Sequence, residues 1–314
     1  MQVLRELSRL QTGQHQCVLA VGNFDGVHLG HQSVIRQLRA QADQLQVPAV
    51  VLTFEPLPLE HFSPKTAPAR LTNFRQKVEL LEQLSVDKVL CLRFDDSLSS
   101  LSAQAFVQDL LVNALGVRRI IAGEDFRYGH NRAGDLASLR LAGDQYGFEV
   151  IPAETFHYNG IRVSSSLVRG YLALGDFSQA NAMLGRPYQI SGRVIHGDKR
   201  GRQLGFPTVN LAMKRKNMPL SGVYAVRVHG LDDKVYGGVA SIGTRPVFNG
   251  EKVLLETYIF EFDQQVYGKR ISIEFLKHLR DERDFATVEA LCVQMQKDEK
   301  RAREFLAKLN NGEG

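Results

Sequence analysis

The chain contains no run of about 18 apolar residues, the length a bilayer core demands, so a membrane-spanning helix is not expected. Its first residues, MQVLRELSRLQTGQHQ, are too polar for the apolar segment of a secretory signal, which makes the cytoplasm the expected location. Cysteine is scarce. Cys17, Cys91 and Cys292 form an odd set with no metal-ligand spacing, which suits a reducing compartment and argues against a disulfide framework. Cys17 and Cys91 lie in apolar, strand-like runs and read as small buried hydrophobes. There is no GxGxxG fingerprint and no GK[ST] phosphate loop, so neither a dinucleotide turn nor a Walker-type NTPase is indicated. Internal repeats and low-complexity linkers are also lacking.

The chain has 314 residues, 44% of them hydrophobic and 23% charged, which is ordinary for a globular protein and long enough for two cores. A net charge of +5 suits anionic ligands such as nucleotides without requiring nucleic acid. The basic run Lys214-Arg215-Lys216 is short and reads as a solvated loop. Strand-like runs at 17–22, 49–54, 88–94, 119–123 and 149–152 alternate with helix-like segments near 30–45, 72–84, 102–115 and 135–146. In the second of these, Phe74, Val78, Leu81 and Leu84 share one helical face. Such alternation predicts a parallel sheet covered by helices. Two further helices, 165–174 and 176–184, are expected to complete this domain. After Gly185-Arg186-Pro187 the pattern becomes short runs rich in β-branched and aromatic residues, at 188–195, 222–228, 235–242, 253–260 and 270–275. These predict an antiparallel sheet or small closed barrel, followed by an amphipathic helix at about 285–308. The expected domains are 1–184 and 185–314.

Residues 18–31 read VLAVGNFDGVHLGH, an apolar strand passing through a glycine turn into a helix. His28 and His31, three apart, can face the same way, and Gly30 between them lets an anion approach the backbone. The free N–H groups at the helix start add partial positive charge. Such donors suit a triphosphate whose α-phosphorus is attacked in line. A purely structural pair of histidines is the alternative, weakened by a location at the carboxyl end of the first main strand. At another strand end, GEDFRYGHNRAG (123–134) offers Asp125 and Arg127. RVSSSLVR (162–169) opens a predicted helix with hydroxyls and two arginines; Arg169 can clamp a phosphate, while an N-cap explains the serines alone.

In the second half, GDKRGRQLGFPTVNL (197–211) is glycine-rich and basic, and could be only a loop. Its end, Gly205-Phe206-Pro207-Thr208-Val209-Asn210, is stiffened by proline and enters an apolar run. Thr208 and Asn210, two apart in an extended segment, project to one side and offer hard oxygens suited to Mg²⁺ held with phosphate. Glu256 stands alone in the apolar LLETYIF, on the same side as Leu254 and Tyr258. It is equally readable as a solvated residue or as a base for an alcohol.

The set GNFDGVHLGH, GEDFRYGHNRAG and RVSSSLVR resembles the FMN adenylyltransferase domain of bifunctional bacterial FAD synthetases. GRQLGFPTVNL, SGVYAV, GGVASIGTRPVF, LETYIFEFDQQVYGK and FLKHLRDERDF resemble the flavokinase domain in order and spacing. Together the resemblances cover nearly the whole chain. They imply an α/β architecture: a Rossmann-like nucleotidyltransferase domain, then an antiparallel flavokinase β-barrel with a terminal helix. They imply that riboflavin plus ATP gives FMN, and FMN plus ATP gives FAD, with Mg²⁺ as cofactor. Catalytic roles would fall to His28, His31, Arg169 and Glu256. The nucleotides would be bound by Gly22, Phe24, Asp25, Gly30, Asp125, Arg162, Ser165, Ser166, Gly205 and Pro207. Asn23, Phe62 (in HFSP) and Tyr128 would contact flavin, although for Phe62 and Tyr128 ordinary packing is the competing reading. Thr208 and Asn210 would hold the metal. Ser166 and Val247 stand where many relatives have Thr. Another acceptor for the first domain (a pantetheine phosphate, nicotinamide mononucleotide or glycerol phosphate) leaves the barrel without a role. An RNA-binding relative lacks the aromatic-basic strand signature. The expected partners are small molecules, with no nucleic acid and no membrane; homo-oligomerisation stays open.

Overall fold

The computed structural model describes residues 1–5, 16–197, 201, 204–213, 217–247 and 250–311. The basic run at 214–216 and residues 198–200, 202 and 203 of the glycine-rich segment lie outside them. The chain divides into two compact units. One comprises Met1–Pro68 and Thr72–Ser164, the other Ala69–Leu71 and Ser165–Gly314.

The first unit holds a parallel sheet of β1 (Gln2–Leu4), β2 (Cys17–Val21), β3 (Ala49–Glu55), β4 (Lys88–Arg93), β5 (Val117–Ala122) and β6 (Glu149–Pro152). The order is β1-β4-β3-β2-β5-β6. The five long runs seen in the sequence are all strands. β1, three residues on the sheet edge, is too short to show a period. The helices are α1 (Leu29–Leu45), α2 (Pro58–Phe62), α3 (Phe74–Gln83), α4 (Asp96–Ser99), α5 (Ala103–Ala105) and α6 (Leu136–Tyr146). α5 runs on into a π-helical stretch, Phe106–Ala114. Every residue of the central strand β2 is buried because both faces are covered. Cys17, Leu19 and Val21 join the core containing Phe106 and Leu110. Val18 and Ala20 join the opposite core, with Ile35, Leu38 and Ala42 of α1. A short antiparallel hairpin, β7 (His157–Tyr158) and β8 (Ile161–Arg162), follows the sheet.

The second unit begins with α7 (Ser165–Ala173) and α8 (Phe177–Leu184). Both are helices, as the sequence indicates, and they pack on each other within this unit. Phe177 stacks on Phe275 at 6.3 Å and meets Tyr224 edge-on at 5.8 Å, so the apolar face of α8 docks on the barrel wall. The barrel is closed, in the order β10-β13-β12-β11-β14-β9, with every pair antiparallel. Its strands are β9 (Gln189–Ile195), β10 (Thr208–Leu211), β11 (Gly222–His229), β12 (Tyr236–Val247), β13 (Gly250–Ile259) and β14 (Arg270–Arg280). Val226, Val228, Leu255, Ile273 and Phe275 are sealed from solvent. The terminal helix α9 (Val288–Asn310) lays Ala302 and Leu306 against Ala225 and Phe260. It starts after Phe285, with Thr287 as its N-cap accepting the Ala290 N–H, slightly later than the apolar period alone suggests.

Candidate active sites

In the first unit the geometry begins with parallel pairing. β2 lies between β3 and β5, so the turns leaving Val21, Glu55 and Ala122 emerge along one edge of the sheet. That carboxyl edge is where open α/β sheets bind ligands. His28 is the N-cap of α1, and its Nδ1 accepts the His31 N–H at 3.2 Å. This bond leaves the imidazole proton on Nε2, the atom suited to donate to an anionic oxygen. The His31 ring stacks on that of His28, with centroids 3.6 Å apart and planes 16° from parallel. The two imidazoles therefore form one donor group at a helix N-terminus, where backbone N–H groups already favour an anion. Gly30 is essential to it: a Cβ there would meet Cε1 and Nδ1 of His28 at 3.2 Å and the Val163 carbonyl at 3.3 Å.

The turn itself is strained. Phe24 and Val27, both bulky, have positive φ of 46° and 41°. Phe24 is 2% exposed, and its ring sits 5.2 Å from His31 and against Gly22. Asp25, expected at the nucleotide, is likewise buried. Its carboxylate accepts the Thr72 N–H at 3.0 Å and the Thr72 hydroxyl at 3.2 Å, which ties the turn to the start of α3. Both residues shape the turn from within. Asn23 is exposed, and its carbonyl accepts from the Thr53 hydroxyl at 3.3 Å.

Asp125 follows β5 and reaches within 4.0 Å of Arg162 at the end of β8, both side chains exposed. Two motifs separate in sequence thus meet. Gly123 clears the space, since its Cβ would lie 2.8 Å from Asp125 Oδ1. Phe62, after β3, is 62% exposed and packs edge-on with His61 and Phe94. Tyr128 is 7% exposed, between Phe106 and Phe126, with its hydroxyl 3.3 Å from Ser138. Ser165 and Ser166 open α7 in the second unit, and the Arg169 Nε donates to the Ala69 carbonyl at 2.5 Å.

The barrel assembles its residues by register. Asn210 pairs directly with Glu256, and Thr208 with Tyr258, across β10 and β13. Directly opposed residues share a face, so Thr208, Asn210 and Glu256 form one patch. Glu256 is half-buried and Asn210 is 7% exposed. Gly197 must lack a side chain, because a Cβ would run into the Asn210 amide. The patch continues onto β12, where Ser241 pairs with Glu256 and donates its hydroxyl to Glu282 at 3.2 Å. Ser241, Gly243 and Glu282 escaped the sequence reading. The only signal was their membership of two unassigned motifs, GGVASIG and LRDE. Beside Thr208 a cavity of about 260 Å³ is walled by Val194, Pro207, Val209, Ile259, Phe262 and Val266, among others. Gly205 is exposed, with φ of 83°, and turns the chain toward this wall.

A histidine pair at a helix N-terminus in one unit and a hydroxyl, amide and carboxylate patch in the other suit a two-domain nucleotide-using transferase. Comparison with known proteins narrows the class. A family model described as FAD synthetase matches residues 10–167, and one described as riboflavin kinase matches residues 184–306. The bifunctional riboflavin kinase/FMN adenylyltransferase of Escherichia coli (strain K12) is 44% identical over 97% of this chain and 98% of its own. The protein of that name from Pseudomonas fluorescens is 46% identical over 98% of each chain. The chain belongs to the bifunctional riboflavin kinase/FMN adenylyltransferase family. In fold it is similar to a crystal structure described as a macrolide-efflux protein from Streptococcus pneumoniae, with TM-score 0.76 and 29% identity over 96% of this chain and 98% of that one. Among the described residues no helix is long and apolar enough to cross a membrane.

Proposed function

We propose that the chain makes FAD in two steps at two separate sites. The barrel phosphorylates riboflavin with ATP to give FMN and ADP. The sheet unit then transfers the adenylyl group of a second ATP to FMN, giving FAD and pyrophosphate. The observation that carries this reading is the presence, in each unit, of a side-chain group suited to its own step. The boundary between the activities is placed at 184/185, where the kinase motifs begin.

At the barrel, Glu256 accepts the proton of the riboflavin 5′-hydroxyl as its oxygen attacks the γ-phosphorus. Thr208 and Asn210 suit Mg²⁺: a hydroxyl and an amide oxygen on one face, beside a glycine that leaves the amide room. When bound, Mg²⁺ supplies charge neutralisation on the phosphates. Pro207 lines the adjoining cavity, which is assigned to the nucleotide, and Gly205 turns the chain two residues before it.

At the sheet edge, a phosphate oxygen of FMN attacks the α-phosphorus of ATP, and pyrophosphate leaves. His28 and His31 donate to the oxygens on which charge grows, supported by the N–H groups of α1. Gly22 and Gly30 keep the turn close, and Asp125 and Arg162 flank the nucleotide. Asn23 and Phe62 face the flavin. The partners in this reading are small molecules alone, in the cytoplasm.

Riboflavin, ATP and Mg²⁺ incubated with the protein should yield FMN and then FAD, resolved by chromatography over time. His28→Ala should remove FAD formation and spare FMN formation. Glu256→Gln should remove FMN formation and spare FAD formation from supplied FMN. A single substitution that abolishes both activities in a folded chain refutes the two-site reading.

A further inference from the structure

Lys77 is 1% exposed, one of the largest fully buried side chains among the described residues. A lysine is sealed this far from water only where its amine is held by acceptors. Its Nζ lies 3.4 Å from the hydroxyl of Thr53, which is itself 0% exposed at the end of β3. The Thr53 hydroxyl in turn reaches the Asn23 carbonyl at 3.3 Å. Lys77 is therefore linked to the turn between β2 and α1 from beneath. That turn needs support, because Phe24 and Val27 hold positive φ and such conformations persist only where the surroundings over-determine them. Thr72, two residues before α3, ties it through Asp25 and the Gly26 N–H. Lys77, within α3, ties it through β3.

We infer that Lys77 is a positioning residue for adenylyl transfer: through Thr53 it fixes the turn at residues 22–27 that places His28 and His31. This rests on the adenylyltransferase reading of the first unit, so its test needs one readout that does not use that activity. The first measurement is amide hydrogen exchange without ligand, in Lys77→Met and Thr53→Val. The amides to follow are Gly22, Gly26 and Val27, bonded to the Leu52 carbonyl, the Thr72 hydroxyl and the Phe24 carbonyl. Faster exchange is expected there, with protection retained in the central strands. The second measurement is FAD formation from FMN. The kcat for this step should fall on the order of ten-fold or more, since even a 1 Å misplacement costs about 10². FMN formation from riboflavin, made by the barrel, should be unchanged and reports an intact chain. The double variant should be no worse than Lys77→Met alone, because both remove one link. Where Lys77→Met does not fold, Thr53→Val, nearly isosteric, carries the test. Unchanged exchange in the turn and an unchanged kcat for FAD formation, or a uniform loss of protection across the unit, overturn the inference. Faster exchange in the turn from a parent chain that makes no FAD would sink the adenylyltransferase reading and leave the structural link standing.

Discussion

Gly30→Ala is the smallest change that tests the histidine pair. The new Cβ would lie 3.2 Å from Cε1 and Nδ1 of His28, while carbon contacts settle at about 3.6 Å. The Val163 carbonyl, 3.3 Å away on the other side, limits any escape of the methyl group. The ring must therefore move by roughly 0.4 Å, pulling Nδ1 from the His31 N–H and tilting the stacked pair. If a 1 Å misplacement costs about 10², this shift costs roughly five- to tenfold in FAD formation, about 1–1.4 kcal/mol of barrier. Helix propensity acts in the opposite direction, alanine being favoured over glycine by up to about 1 kcal/mol. The variant should thus melt no lower than the parent while turning over more slowly. The assay is initial FAD formation from FMN and ATP, with FMN formation from riboflavin as the control in the same chain. FAD formation within about two-fold of the parent, at unchanged melting temperature, refutes the role given to His28.

Gly197→Ala is the counterpart in the barrel: its methyl would displace the Asn210 amide, so FMN formation should fall at least about tenfold while FAD formation from FMN persists. Glu282→Ala should lower FMN formation less than Glu256→Gln, because Glu282 reaches the patch through Ser241; steady-state kinetics with varied riboflavin decides this. Burial raises the Asp87 carboxyl, but the Ala49 N–H, then Arg39 and Lys88, outweigh it and leave the group below its ordinary value. The stabilisation it gives is complete above the ordinary carboxylate pKa of about 3.9 and is lost as pH falls toward the lowered one. Asp87→Asn should therefore flatten the acid limb of melting temperature against pH, and parallel curves would contradict the assignment. Burial pushes the Cys17 thiol up to about 12, against the smaller opposing effect of Lys88, so an alkylating reagent should leave Cys17 untouched in the native protein and modify it after denaturation, as mass spectrometry reads.

The parts legible in the sequence are those set by periodicity and local chemistry. β2 reads as an unbroken apolar run because helices cover both faces, and the barrel strands read through their alternation. His28 and His31 are three apart on one helix, so sequence spacing alone brings them together. What stayed hidden depends on tertiary partners. α8 carries an apolar face, but nothing local says that Phe177 meets Phe275 rather than the sheet. Tyr128 in a glycine-rich loop looks available until Gly134 closes over its ring, where a Cβ would stand 2.5 Å away. Phe24 and Asp25 are both buried in the turn, Phe24 with positive φ and Asp25 bonded to Thr72, which the motif alone does not show. Lys77 is invisible because a lysine on a helix is ordinarily solvated.

The two sites, unrelated in fold, share one construction. Gly30 leaves room for the His28 ring, Gly123 for the Asp125 carboxylate, Gly197 for the Asn210 amide and Gly243 for the Glu282 carboxylate. In each case a glycine lacks the Cβ that would otherwise fill the space of a polar side chain. None of these glycines has φ in the left-handed region, so clearance rather than backbone conformation accounts for them. Positioned polar groups of this kind act without reorganising as charge moves, which is the main demand of both phosphoryl and adenylyl transfer. Because each clearance is local to its own unit, one added methyl group is expected to impair one step and spare the other.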